Sequence, residues 1–219
     1  MNNNALKILS EIPDDVQLVA VTKKRSIDEI LDVYHSGIRD FGENRVQELL
    51  LKQPYLPSDI RWHLIGHLQT NKVKYIASFI HLIQSVDSIK LLIEINNQAK
   101  RHNRVIDCLL QVYIAEEETK FGLDAGEIES ILSSSELNDL QNIRIIGLMG
   151  MATYTDDLNQ VRNEFHYLKS LFGQIKATHF PTQDYFSQIS MGMSSDYLIA
   201  IEEGSTIVRI GTALFGERG

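Results

Sequence analysis

From Gln17 to Gly211 short β-rich runs alternate with helical patterns without a break, and this alternation limits the possible folds more than any other feature of the chain. QLVAVT (17–22) opens the series. Ser26 and Glu29 then form an S-x-x-E capping box, with Ile27, Ile30, Leu31 and Tyr34 as one apolar face and Gly37 as the stop. A short second strand, IRDFG (38–42), precedes a helix marked by Val46, Leu49 and Leu50. WHLIG (62–66) and HLIQSV (81–86) are the third and fourth strands, and the spacing predicts a helix over 72–79 between them. A longer helix carrying Ile89, Leu92 and Ile93 leads to the fifth strand, DCLLQVYI (107–114). Asp124 and Glu127 form a D-x-x-E box, flanked by Leu123 and Ile128 at the positions of a hydrophobic staple. After the sixth strand, IRIIGLM (143–149), Leu158, Val161, Phe165, Leu168 and Phe172 recur at helical spacing. DYFSQIS (184–190) and TIVRIG (206–211) complete eight strands, with a short helix in DYLIAIEEG between them.

Eight strands alternating with helices, with no linker or shift in composition, predict a single (β/α)8 TIM barrel domain over residues 1–219. A doubly wound sheet is the alternative, but no G-x-G-x-x-G follows the first strand. Gly219 follows the last strand too closely for a full eighth helix, so ALKILSEI near the N-terminus is expected to cover that gap.

Apolar residues make up 43% of the 219, enough for a barrel core without staples. The formal net charge of −8 argues against a nucleic-acid surface, while leaving room for a local basic pocket that holds one phosphate. Cys108, the single cysteine, lies in an apolar strand and is expected to be inert packing. MNNNALKILSEI has no signal-peptide pattern, and no apolar run has the length to span a bilayer, so a cytoplasmic location is expected.

In such a barrel the chemistry sits at the C-terminal ends of the strands, and phosphate is often held after strands seven and eight. Strand seven runs into SMGMSSD (190–196) and strand eight into RIGTALFG (209–216). Small residues there let backbone N–H groups approach an anion. Strand one ends at Lys23 and Lys24. Lys23 shares a face with Val19 and Val21, and Lys24 shares the other with Ala20 and Thr22, so one of them at most points into the mouth. An inward amine beside a phosphate anchor could attack a carbonyl. Parity alone does not say which lysine that is. Asn44, in FGENRVQE, could donate to a ligand or merely cap a helix. His63 and His67 stand four apart, but the run between them is strand broken by Gly66, so no metal pair is expected.

Taken together, LVAVTKK, FGENRVQE, WHLIGHLQTNK, IQSVDS, LLQVYI, GLMGMA, ISMGMSSDYLIAI and GSTIVRIGTALFG resemble, in order and over nearly the whole chain, the pyridoxal 5′-phosphate (PLP) homeostasis protein family. That family is a single-barrel relative of the alanine racemase N-terminal domain. The resemblance implies that Lys23, closing the A-V-[ST]-K motif, carries PLP as an internal aldimine. It implies phosphate contacts from Ser190, Gly211 and Thr212, and places Arg209 against the pyridine nitrogen. Asn44, His63 and Met191 would line the ring side of the pocket. A guanidinium in that place opposes protonation of the ring and weakens the cofactor as an electron sink. The sequence departs from the family at Tyr113, around GLMGMATYTDD, and in a shorter segment before strand one.

The function implied is a PLP-binding protein of vitamin B6 homeostasis without a committed reaction, holding and exchanging PLP to control its free level, with PLP-dependent apo-enzymes as candidate recipients. A PLP-dependent amino-acid racemase-like enzyme is the alternative, although a racemase draws its second base from a further C-terminal domain, and a monomer is expected here. A colourless aldolase using Lys23 directly on a phosphorylated sugar is a third reading.

Overall fold

A computed structural model describes residues 3–115 and 122–216. Eight parallel strands close into a barrel in chain order: β1 (Gln17–Val21), β2 (Asp40–Glu43), β3 (Arg61–Leu64), β4 (Leu82–Val86), β5 (Ile106–Tyr113), β6 (Ile143–Met151), β7 (Gln188–Ser190) and β8 (Ile207–Ile210). β8 returns to β1 in a register that runs from Gln17 opposite Ile207 to Ala20 opposite Ile210, which removes any free sheet edge. Around the barrel lie α1 (Asn3–Glu11), α2 (Ile27–Tyr34), α3 (Val46–Lys52), α4 (Ile89–Arg101), α5 (Ala125–Leu132), α6 (Leu158–His179), α7 (Tyr197–Glu202) and α8 (Thr212–Phe215). The fold is the expected (β/α)8 barrel, and no described helix is long and apolar enough to cross a membrane.

Both sequence-read capping boxes form in full. Ser26 and Glu29 exchange side-chain and backbone hydrogen bonds at the start of α2, and Asp124 and Glu127 do the same at α5. The helix predicted over 72–79 is instead a 3-10 helix, Thr70–Tyr75. A 3-10 turn rises about 2.0 Å per residue against 1.5 Å for an α-helix, so it bridges the short β3–β4 crossover with fewer residues. β7 is shorter than the predicted 184–190, because residues 184–187 lie ahead of the strand and only Ser190 pairs with β8, opposite Ile207.

α8 is a single turn, and α1 packs against it, burying Ala5 and Ile8. Tyr197 of α7 donates its hydroxyl proton to the Glu11 carboxylate and ties α1 in place. Alternation along the strands divides the core in two. Val19, Leu82, Leu109, Met149 and Ile207 fill the barrel interior, whereas Ala20, Phe41, Leu64, Cys108 and Leu148 pack in the layer toward the helices. Burial pushes the Cys108 thiol up, so it stays protonated and inert.

Candidate functional site

At the C-terminal ends of β1 and β8 and the loops after β6 and β7 lies a cavity of about 550 Å³, within the range of small-molecule sites. Its walls carry Lys23, Arg25 and Arg209, the hydroxyls of Ser194, Ser195 and Thr212, the glycine Gly211, and the phenol of Tyr154. Among the described residues three cations and no carboxylate face it, although the chain as a whole carries −8. Such a wall favours a compact anion with more than one negative charge.

The structure separates the two lysines. Val19 points into the barrel, Val21 and Lys23 follow on the same face and line the cavity, and Lys24 is exposed. The Lys23 amine makes no hydrogen bond or ion pair with any described residue, which leaves it available to a ligand. The turn carrying it is held from below. Lys52, at the end of α3, donates to the Thr22 carbonyl, Glu43 Oε1 and Glu48 Oε1, each at 2.6 Å. Glu43 also accepts from Thr22 Oγ1 at 2.6 Å, and Glu48 Oε1 accepts the Lys24 N–H at 2.5 Å. Lys24 itself has φ of 60°, a left-handed conformation that costs a non-glycine residue about 1–2 kcal/mol and is kept by these clamps.

Arg209 is 3% exposed, and burial pushes its guanidinium down to about 10 against the opposing charge of Asp196, so it remains a cation at neutral pH. Its Nη2 donates to the Gly150 carbonyl at 2.9 Å and its Nη1 to Ser190 Oγ at 2.5 Å. The two groups tie the guanidinium to β6 and β7.

The loop after β7 depends on Gly192, whose φ is +96° and where a Cβ would lie 2.6 Å from that of Ala200. Asp196 Oδ1 accepts the Met193 N–H at 2.5 Å and closes this loop. Ser194 Oγ then accepts the N–H groups of Gly211 and Ala213 at 3.2 and 3.3 Å, so two backbone amides converge on one oxygen.

Of the sequence-named residues, Lys23, Arg209, Gly211 and Thr212 come together around the cavity. Ser190, His63 and Met191 do not line it: all three are fully buried beneath it, and the Ser190 hydroxyl is taken up by Arg209 and Gln84. Asn44 follows β2, and its Oδ1 is buried with no hydrogen-bond partner among the described residues. An orphaned acceptor there is costly unless a ligand or water satisfies it. Sequence reading overlooked Arg25, Tyr154, Ser194 and Ser195, although Arg25 follows Lys24 directly and both serines fall in the phosphate-loop segment SMGMSSD. Arg25 is locked by Glu29 at 3.0 Å and by the Gly216 carbonyl at 2.5 Å.

At the opposite end of the barrel Asp40 accepts Arg61 Nε at 2.7 Å and Arg61 Nη2 at 2.5 Å, and its Oδ1 lies 3.1 Å from His63 Nε2. Asp40, His63 and His81 bring ligand atoms within 4.8 Å of one another. Arg61 occupies both Asp40 oxygens and both His63 nitrogens have partners, so this group is the end of a hydrogen-bond chain rather than an open metal site. Burial alone would raise the Asp40 carboxyl, but the bonds from His63 and Arg61 outweigh it and hold the group well below the usual carboxylate range. Its stabilisation is therefore complete above the unfolded value of about 3.9 and is lost as pH falls through the lower folded value. Asp40→Asn is expected to cost about 2 kcal/mol at pH 7 and progressively less below pH 4. Urea denaturation of both proteins at pH 7 and pH 3 checks this, and an equal cost at both would refute it.

Residues 1–219 match the family model described as alanine racemase, N-terminal domain. The chain is 39% identical over 203 residues to the pyridoxal phosphate homeostasis protein of Aquifex aeolicus, covering 92% of this chain and 87% of that one. Among solved structures, PipY of Synechococcus elongatus without PLP matches with a TM-score of 0.90 at 35% identity. PipY with PLP bound gives 0.87 at 34%, and either match covers 97% of this chain and 98% of PipY. An alanine racemase of Clostridium difficile shares the fold at a TM-score of 0.74 and 14% identity, over 98% of this chain and 56% of the racemase.

Proposed function

The chain belongs to the pyridoxal phosphate homeostasis protein family, and on that premise we propose that it binds PLP at the barrel mouth and holds it for exchange rather than committing it to one reaction. One observation carries this reading: the Lys23 amine, without a partner among the described residues, shares with Arg25 and a locked Arg209 a cavity to which no described carboxylate contributes. When bound, PLP supplies an aldehyde reactive toward amines and an electron-poor ring. Lys23 would take the aldehyde. Gly211, Thr212 and Ser194, with the amides converging on Ser194 Oγ, would hold the phosphate, and Arg209 would face the ring nitrogen. Asn44 Oδ1, buried after β2 without a partner among the described residues, is an acceptor still to be satisfied. The fit is good in size, charge and donor set.

The non-catalytic part of the reading rests on the same walls. A guanidinium that stays charged at neutral pH opposes protonation of the ring nitrogen, so the site favours binding over stabilising a carbanion. Among the described lining residues no carboxylate, imidazole or thiol stands ready as a second proton acceptor, and the one phenol, Tyr154, is 88% exposed. Such a protein would release PLP to apo-enzymes that lack it.

The purified protein mixed with PLP is expected to show a visible band that borohydride abolishes, and no exchange of the α-proton of L- or D-alanine in deuterated water. A colourless protein in excess PLP would overturn the binding proposal. Rapid α-proton exchange would overturn the carrier reading and restore the racemase-like one.

A further inference from the structure

Arg209 stands at one end of a chain of hydrogen bonds that crosses the barrel. Ser190 Oγ, which accepts from Arg209, donates to Gln84 Oε1 at 2.6 Å, and Gln84 Nε2 donates to His63 Nδ1 at 2.9 Å. Gln84 lies on β4 and Ser190 on β7, strands that are not neighbours, so this contact runs through the interior. Ser190, Gln84 and His63 are fully buried.

The direction of every bond is set from the far end. His63 receives a donor at Nδ1, so its ring proton sits on Nε2 and points at the Asp40 carboxylate 3.1 Å away. Gln84 must then keep its NH2 toward His63 and its carbonyl toward Ser190. Ser190 must spend its proton on that carbonyl, leaving only lone pairs for Arg209. For a ring that carries one proton, turning the Gln84 amide over would set two lone pairs against each other at His63, or, after a tautomer change, set a ring lone pair against the Asp40 carboxylate. Either is expensive in a dry interior.

We propose that Gln84, backed by His63 and Asp40, is a positioning residue for Arg209: it orients the Ser190 hydroxyl and thereby fixes the guanidinium that faces the cavity. This rests on the reading that the cavity binds PLP with Arg209 against its ring. Gln84 touches no ligand in this scheme and acts only through Ser190. The chain also accounts for buried amide, imidazole and hydroxyl groups on β4, β3 and β7 beside an apolar interior that includes Leu82 and Ile207.

Gln84→Met keeps the volume and removes both bonds. The variant is expected to bind PLP about tenfold more weakly, the cost of one buried bond lost next to a charge, and to shift the absorption maximum of the bound cofactor. A purely structural role would lower the melting temperature and leave that maximum where it is. In the protein without PLP, the Arg209 side-chain N–H resonances should be resolved and slowly exchanging in wild type and lost to exchange in the variant. If Gln84→Met fails to fold, His63→Leu, which strips the Gln84 amide of its acceptor, carries the same expectations. A folded Gln84→Met or His63→Leu protein with wild-type affinity, absorption maximum and Arg209 resonances would overturn the inference. A colourless wild type would overturn the PLP reading instead, and the Arg209 resonances would still decide for or against the positioning role.

Discussion

Lys23→Ala is expected to remove the borohydride-sensitive visible band and to weaken PLP retention by about two orders of magnitude, leaving only the phosphate and ring contacts. The reason is positional. Lys23 is the amine that extends from the inner face of β1 into the cavity, whereas its neighbour Lys24 is exposed and turned away by its left-handed backbone. Lys24→Ala should therefore stay coloured. Absorption spectra before and after borohydride, with equilibrium dialysis for affinity, make the comparison in one preparation. Loss of the band in Lys24→Ala but not in Lys23→Ala would reverse the assignment. Peptide mapping of the borohydride-treated wild type should place the added mass on Lys23.

Lys52→Met is expected to destabilise the fold by about 3–5 kcal/mol, because it strands a carboxylate in the interior. Glu43 is fully buried and keeps only the Thr22 hydroxyl and the Asn44 N–H once the ammonium is gone. Burial already raises the Glu43 carboxyl above its ordinary value despite the two bonds and the charge that lower it. Without Lys52 it rises further. A carboxyl raised in the folded state costs stability as pH climbs through the unfolded value toward the folded one, so the damage should be greatest at neutral pH and smaller near pH 5. Urea denaturation at pH 7.5 and pH 5 tests both the size and the sign. Adding Glu43→Gln to Lys52→Met should recover part of the loss at pH 7.5. A Lys52→Met protein as stable as wild type at pH 7.5 would show that the cluster does not hold the Lys23 turn.

The elements were legible where local chemistry decides them. The S-x-x-E and D-x-x-E boxes at Ser26 and Asp124 satisfy helix donors within one turn of chain, and the eight apolar runs declare their strands through β-branched residues. The stretch over 72–79 was misread because apolar spacing there fits a helix of either pitch, and the length of the crossover chose the tighter one. β7 was read too long for a related reason: residues 184–187 have strand-like composition, but only neighbouring strands can complete a ladder.

The site was legible in part. Motifs at the strand ends pointed to Gly211, Thr212 and a pair of lysines, and the family resemblance to Lys23 and Arg209; the fold does bring Lys23, Arg209, Gly211 and Thr212 around one cavity. Ser190 sits in the same motif, yet the fold turns it inward, where its partner Gln84 lies 106 positions earlier in the chain. No local pattern encodes that pairing. Sequence alone determined the order of strands and helices, the caps and the pair of lysines among which the amine had to be sought, since each of these depends on residues a few positions apart. Closure of the barrel decided which lysine enters the cavity, how Lys52 steadies its turn, and which way a buried chain of hydrogen bonds points, because those depend on groups that meet only when distant strands share one dry interior.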